Sequence, residues 1–127
     1  MIAVDTSVWV SALRDERSPV AGTLKALLDT DEVVLPAPVR MELLSGVARA
    51  ARGPLLRALS ALPVVIPTEQ TWRRVETWAL AAADAGQRFG MADMVIAALA
   101  DEVGALVWSL DQDFDRLATL GLVRPYG

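Results

Sequence analysis

Short apolar runs of a few residues alternate along the chain with stretches of helical periodicity, and no other feature narrows the possible folds as far. Residues 2–4 (Ile-Ala-Val), 33–35 (Val-Val-Leu), 64–66 (Val-Val-Ile) and 105–108 (Ala-Leu-Val-Trp) read as strands, with 122–124 as a candidate fifth. Between them, helices are expected over 6–13, 19–28, 39–50, 54–62, 69–83, 91–103 and 112–118. Pro19 suits the first turn of the second helix, Thr68 caps the fifth and Gly104 halts the sixth. Strands that are apolar throughout, rather than alternating, are buried on both faces. The pattern therefore predicts an α/β fold of three layers, with a central parallel sheet of four or five short strands flanked by helices.

A chain of 127 residues, 54% of them hydrophobic and 22% charged, is read as a single domain over residues 1–127 with one well-filled core. Trp108 and Trp72 are expected in that core, Trp72 sharing a helical stripe with Val75 and Ala79. Trp78 falls off this stripe and is read as a partner contact. The N-terminus has no basic segment leading into a sustained apolar one, and no run reaches the ~18 apolar residues of a membrane span. A cytoplasmic location is the expectation.

The chain contains neither cysteine nor histidine. Disulfides, thiolate or imidazole metal sites, a cysteine nucleophile and a Ser-His-Asp triad are thereby excluded. Neither a Gly-x-Ser-x-Gly elbow nor a phosphate-cradling Gly-x-x-x-x-Gly-Lys run is present. What remains is chiefly the chemistry of carboxylates and hard metal ions. The net charge of −4 argues against a protein that coats nucleic acid by charge alone, yet Arg40, Arg49, Arg52, Arg57, Arg73, Arg74 and Arg88 are available to meet phosphates.

Four dispersed acids sit where such a fold can gather them. Asp5 ends the first strand, the position at which open α/β sheets bind ligands, and it equally suits the cap of the helix that follows. Asp93 shares its helix face with Ile96, Ala97 and Ala100, so an acid lies on the side that packs inward. An unpaired carboxylate in apolar surroundings costs several kcal/mol or takes up a proton, and it calls for a cation or a donor network. Glu42, with Ser45 and Gly46 beside it on the third helix, gains significance only in company. Asp111 follows the fourth strand, and either it or Asp113 caps the short helix beyond. Acids converging at the switch point of a doubly wound sheet repel one another unless a cation lies among them. Oxygen-only ligation favours magnesium or manganese, and such a site suits hydrolysis of a phosphodiester.

Four fragments carry a family resemblance: Ile2-Ala3-Val4-Asp5-Thr6-Ser7-Val8, Met41-Glu42-Leu43-Leu44-Ser45-Gly46, Met91-Ala92-Asp93-Met94-Val95-Ile96-Ala97-Ala98 and Ser109-Leu110-Asp111-Gln112-Asp113-Phe114. In this order and spacing the chain resembles the PIN-domain ribonucleases of the VapC toxin type. The resemblance implies a small α/β fold and an acidic pocket binding Mg2+ or Mn2+. It also implies endonucleolytic cleavage of RNA, a homodimer, and inhibition by a cognate antitoxin protein that wraps the dimer and blocks the pocket. Carried over by position, Asp5 and Asp93 are implied as direct metal ligands, Glu42 as a ligand or water-orienting base and Asp111 as a further ligand. Thr6 matches a polar residue that helps to hold the site. Ser109 and Leu110 depart from the Thr and polar residue of many relatives, which leaves Asp113 as a rival to Asp111.

Other readings of the same acids exist. A phosphoacceptor receiver domain would want paired acids near the first strand and a late lysine, whereas the single lysine, Lys25, lies in an early helix. A haloacid-type phosphatase would show Asp-x-Asp where this chain has Asp5-Thr6-Ser7. A catalytically silent interaction module would not need all four acids.

Overall fold

The computed structural model describes all residues, 1–127. Four strands, β1 (Ile2–Val4), β2 (Val33–Pro36), β3 (Val64–Val65) and β4 (Leu106–Trp108), form one sheet in the order β3-β2-β1-β4. Every pairing is parallel, with Ile2 opposite both Val33 and Leu106, and Leu35 opposite Val64. The seven helices are α1 (Thr6–Arg14), α2 (Pro19–Asp29), α3 (Ala37–Gly46), α4 (Arg52–Ser60), α5 (Glu69–Asp84), α6 (Met91–Glu102) and α7 (Gln112–Thr119). Successive side chains of a strand point to opposite faces, so the complete burial of β1 and β2 means that both faces of the sheet are covered. The expected α/β architecture with a parallel sheet is the one observed.

Local sequence sets most boundaries. Ser18 caps α2 by accepting from Ala21 N at 3.1 Å, and Pro19 occupies its first turn. Thr68 and Thr71 form a reciprocal capping box at the start of α5. In α6 the seven residues from Met94 to Ala100 are all buried, as in a helix enclosed on every side. Its alanines let the neighbouring elements approach closely, and its first turn carries Asp93.

Three expectations need correction. Residues 122–124 do not form a fifth strand; the segment makes only an isolated parallel bridge between Val107 and Pro125. The two bonds of that bridge, Val107 N to Arg124 O at 2.8 Å and Tyr126 N to Val107 O at 2.9 Å, flank Pro125, while Leu122 N closes the end of α7 on Leu117 O at 3.0 Å and adds no rung. The helix expected over 39–50 ends at Gly46, because Val47 and Ala48 turn extended before a short 3₁₀ turn at Arg49–Ala51. Glycine followed by a β-branched residue weakens the helix at that point. On α5 the inward stripe is Thr71, Val75, Trp78 and Ala82, not the one through Trp72 and Ala79. Trp72 is 47% exposed, whereas Trp78 packs against the core. A polar residue heads the true stripe, and Thr71 tolerates full burial because its hydroxyl donates to Glu102 Oε2 at 3.0 Å. Trp108 is partly buried against the core, its ring 5.5 Å from that of Tyr126.

Candidate metal centre

The strand order reverses between β1 and β4, and the carboxyl ends of these two strands carry acids. Asp5 N donates to Trp108 O at 2.9 Å, which fastens the exit of β1 to the exit of β4. Asp5 is 5% exposed, a buried acid in a largely apolar interior. Its Oδ2 accepts from Ser7 Oγ at 2.7 Å, from Ser109 Oγ at 2.8 Å and, more weakly, from Ser7 N at 3.4 Å. No hydrogen bond reaches its Oδ1. The capping reading and the site reading of Asp5 are therefore compatible: one oxygen closes the helix end while the other stays open.

The two serines also set the loop after β4. Ser7 Oγ accepts from Leu110 N and Ser109 Oγ from Asp111 N, each at 3.0 Å. Asp111 in turn caps α7, its Oδ1 accepting from Asp113 N at 2.9 Å. Glu42 arrives on α3, held at Oε1 by the Thr6 hydroxyl at 3.0 Å. Beside it opens a groove of about 490 Å3 lined by Arg14, Leu43, Val47 and Leu55 among others.

Asp93 stands at the centre of these charges. Burial, followed by the negative charges of Asp5, Asp111, Asp113 and Glu42, pushes its pKa up to about 6. The helix dipole favours an acid in the first turn by only ~0.3–1 kcal/mol, too little to reverse this. Donor oxygens of Asp93, Asp111 and Asp113 lie within 4.8 Å of one another. Asp5 and Glu42 are outside that triple, although each is near enough to act on Asp93. All five acids named from the sequence thus face one region, and both Asp111 and Asp113 belong to its tightest group. Such an assembly, with oxygen donors alone and one acid strained toward its neutral form, fits a hard divalent cation.

Three residues of this arrangement escaped sequence reasoning. Ser7 drew no notice, and Ser109 stood out only as a departure from a family pattern. A signal existed in the mirrored spacing of Asp5-x-Ser7 and Ser109-x-Asp111, which places a short hydroxyl two residues from an acid at both strand ends. Arg116, which donates to Asp113 Oδ1 from Nη2 at 2.9 Å, had no comparable signal.

The profile of the PIN domain matches residues 2–120. Ribonuclease VapC18 of Mycobacterium tuberculosis is 33% identical over 125 residues, covering 94% of this chain and 89% of its own. Ribonuclease VapC11 of the same organism is 32% identical over 125 residues, with 94% and 93% covered. Among solved structures, a DNA-bound VapBC from Salmonella typhimurium superposes with a TM-score of 0.80 at 18% identity, covering 98% of this chain and 96% of that one. VapC20 of Mycobacterium tuberculosis, a toxin that cleaves the sarcin-ricin loop, superposes with a TM-score of 0.65 at 22% identity, covering 91% and 94%. At these identities the structural matches speak to the shared fold.

Proposed function

The chain belongs to the PIN-domain family, and from that premise we propose that it is a divalent-metal-dependent endoribonuclease acting as the toxin of a toxin–antitoxin pair. The observation that carries this is geometric: donor oxygens of Asp93, Asp111 and Asp113 lie within 4.8 Å of one another near the buried Asp5, in a chain that has neither histidine nor cysteine to ligate a metal. A fold that held these acids together for no purpose would sacrifice stability. The ribonuclease names of the relatives match the hydrolysis that such a site suits.

Asp93, Asp111 and Asp113 are the residues nearest to one another for holding Mg2+ or Mn2+, with the open Oδ1 of Asp5 and the Glu42 carboxylate as further donors. When bound, the ion supplies a more acidic water and a counter-charge for the phosphate oxygens. Thr6 orients Glu42, while Ser7 and Ser109 fix the Asp5 carboxylate. Arg49, Arg52 and Arg57 are exposed and paired with no acid, and they supply positive charge for the RNA backbone.

The partner and assembly readings belong to the same proposal. Solved VapBC complexes share the fold, in keeping with a cognate antitoxin for this chain. An apolar groove of about 480 Å3 between α3, α5 and the start of α6, with Met41, Trp72 and Met91 on its walls, supports a homodimer. No helix is long and apolar enough to cross a membrane, which is consistent with a cytoplasmic site of action.

Incubating the purified chain with structured RNAs tests the activity. Cleavage with Mg2+ or Mn2+ that stops on chelation is expected, and cleavage indifferent to chelator would refute the metal-dependent mechanism. Expression alone should be toxic and relieved by co-expression of the adjacent reading frame. Absence of both toxicity and a co-purifying partner would favour the silent interaction module.

A further inference from the structure

Arg116 of α7 makes contacts that an ordinary surface ion pair does not. Its Nη2 donates to Asp113 Oδ1 at 2.9 Å and to the backbone oxygen of Arg88 at 3.2 Å. Its Nη1 donates to Gln87 Oε1, and its guanidinium carbon lies 4.4 Å from the centre of the Phe89 ring. One planar group therefore grips three consecutive residues of the segment that leads into α6, and at the same time holds an acid of α7. Phe89 is itself packed against the core, so the anchor does not float.

The position of this strap gives it meaning. Met91 opens α6 and Asp93 lies in its first turn, a few residues beyond the gripped segment. Asp113 shares the cluster in which donor oxygens of Asp93 and Asp111 approach within 4.8 Å. With Oδ1 taken by Arg116, Asp113 keeps an Oδ2 that accepts no hydrogen bond. We propose that Arg116 is a positioning residue of the carboxylate centre, fastening Asp113 to the 87–89 segment and so setting the spacing between the acids of α6 and α7. The inference rests on the reading of those acids as a divalent-cation site.

Charge alone predicts the opposite behaviour. A guanidinium beside the acids repels an incoming cation, so its removal would tighten metal binding if electrostatics were its whole effect. Positioning predicts a loss, because residues that orient metal ligands typically change affinity by ~10–100-fold. A lysine keeps the charge but lacks the planar fork and the stacking face, so it does not replace the strap.

The test is Mn2+ affinity, read by electron paramagnetic resonance or calorimetry without RNA, together with the melting temperature of each metal-free protein. The proteins are the natural chain, Arg116→Ala, Arg116→Lys, Gln87→Ala, Asp113→Asn and the Arg116→Ala/Asp113→Asn double variant. Arg116→Ala should weaken Mn2+ by about tenfold. Arg116→Lys should lose nearly as much while melting close to the natural chain, and Gln87→Ala should lose a smaller part. The double variant should lose less than the product of the two single losses, since Arg116 acts in part through that carboxylate. Unchanged or tighter binding by Arg116→Ala, full affinity in Arg116→Lys, or losses that multiply in the double variant would overturn the proposal. If Arg116→Ala fails to fold, the lysine and Gln87 variants decide the matter by the same criteria. A natural chain that binds no Mn2+ would instead defeat the reading of the site on which the proposal stands.

Discussion

Ser109 Oγ donates to Asp5 Oδ2 at 2.8 Å across 104 positions of sequence. This bond joins the ends of the two strands between which the sheet order reverses, and it fixes which oxygen of Asp5 stays open. Hydrogen bonds to charged groups contribute ~1.5–3 kcal/mol, and a buried carboxylate that loses a donor keeps the cost of its burial. Ser109→Ala should therefore lower stability by about 1–2 kcal/mol, the remaining Ser7 hydroxyl limiting the loss. It should also weaken Mn2+ by ~10-fold. Urea denaturation and metal titration measure the two effects, and a variant as stable and as avid as the natural chain would show that the bond does not matter.

Asp93 sets a pH dependence whose sign is opposite to that of an ion-paired acid. Its pKa in the fold is raised from 3.8 to about 6, so the folded metal-free chain holds this proton more tightly than the unfolded chain does. The stability gained is complete below the unfolded value and disappears as the pH rises through the folded one. At pH 7 the charged carboxylate costs about 1–2 kcal/mol, after allowance for solvent screening. In chelator at neutral pH, Asp93→Asn should consequently raise the melting temperature by roughly 3–6 °C. The difference should fade toward pH 4. Equal melting temperatures at neutral pH would contradict the strain assigned to this acid.

The proton and the cation compete for Asp93, so Mn2+ affinity should fall steeply as the pH drops below about 6. Calorimetry across the range from acid to neutral measures this. An affinity independent of pH there would place the cation away from Asp93.

Thr6 donates to Glu42 Oε1 at 3.0 Å in an exposed setting. Thr6→Val should leave the melting temperature nearly unchanged, because exposed polar contacts contribute little, while slowing RNA cleavage by ~10-fold. Equal rates would remove Thr6 from the site.

The framework elsewhere offers a contrast. Thr71 is fully buried; its hydroxyl accepts from Thr68 N and donates to Glu102 Oε2, both at 3.0 Å. Thr71→Val should destabilise by ~1–3 kcal/mol with catalysis intact at low temperature. A stability loss accompanied by an equal loss of catalysis per folded molecule would tie α5 to the site.

The sheet was legible because its central strands are apolar at every position, a pattern few alternatives produce. Asp93 was legible for a related reason: a lone acid on an otherwise apolar face stands out. Residues 122–124 misled because the apolar pair Leu122-Val123 does not disclose that Leu122 N closes the end of α7 on Leu117 O. On α5, counting apolar residues selected Trp72 and Ala79, while the true inward stripe begins with Thr71, whose burial depends on a bond to Glu102 from another helix. Arg116 was hidden for the same cause, while Ser7 and Ser109 showed only the mirrored spacing of a hydroxyl two residues from an acid. Their roles arise from bonds to residues distant in sequence, or from a loop whose path no local pattern fixes.

The central claim, that these acids form the metal-dependent cleavage site for RNA, is tested most directly by the initial rate of RNA cleavage at saturating Mn2+. The natural chain is compared with Asp93→Asn, whose folded state is verified by its melting curve. The account predicts a fall of at least ~100-fold in a protein that is no less stable. Equal rates in the two proteins would contradict it.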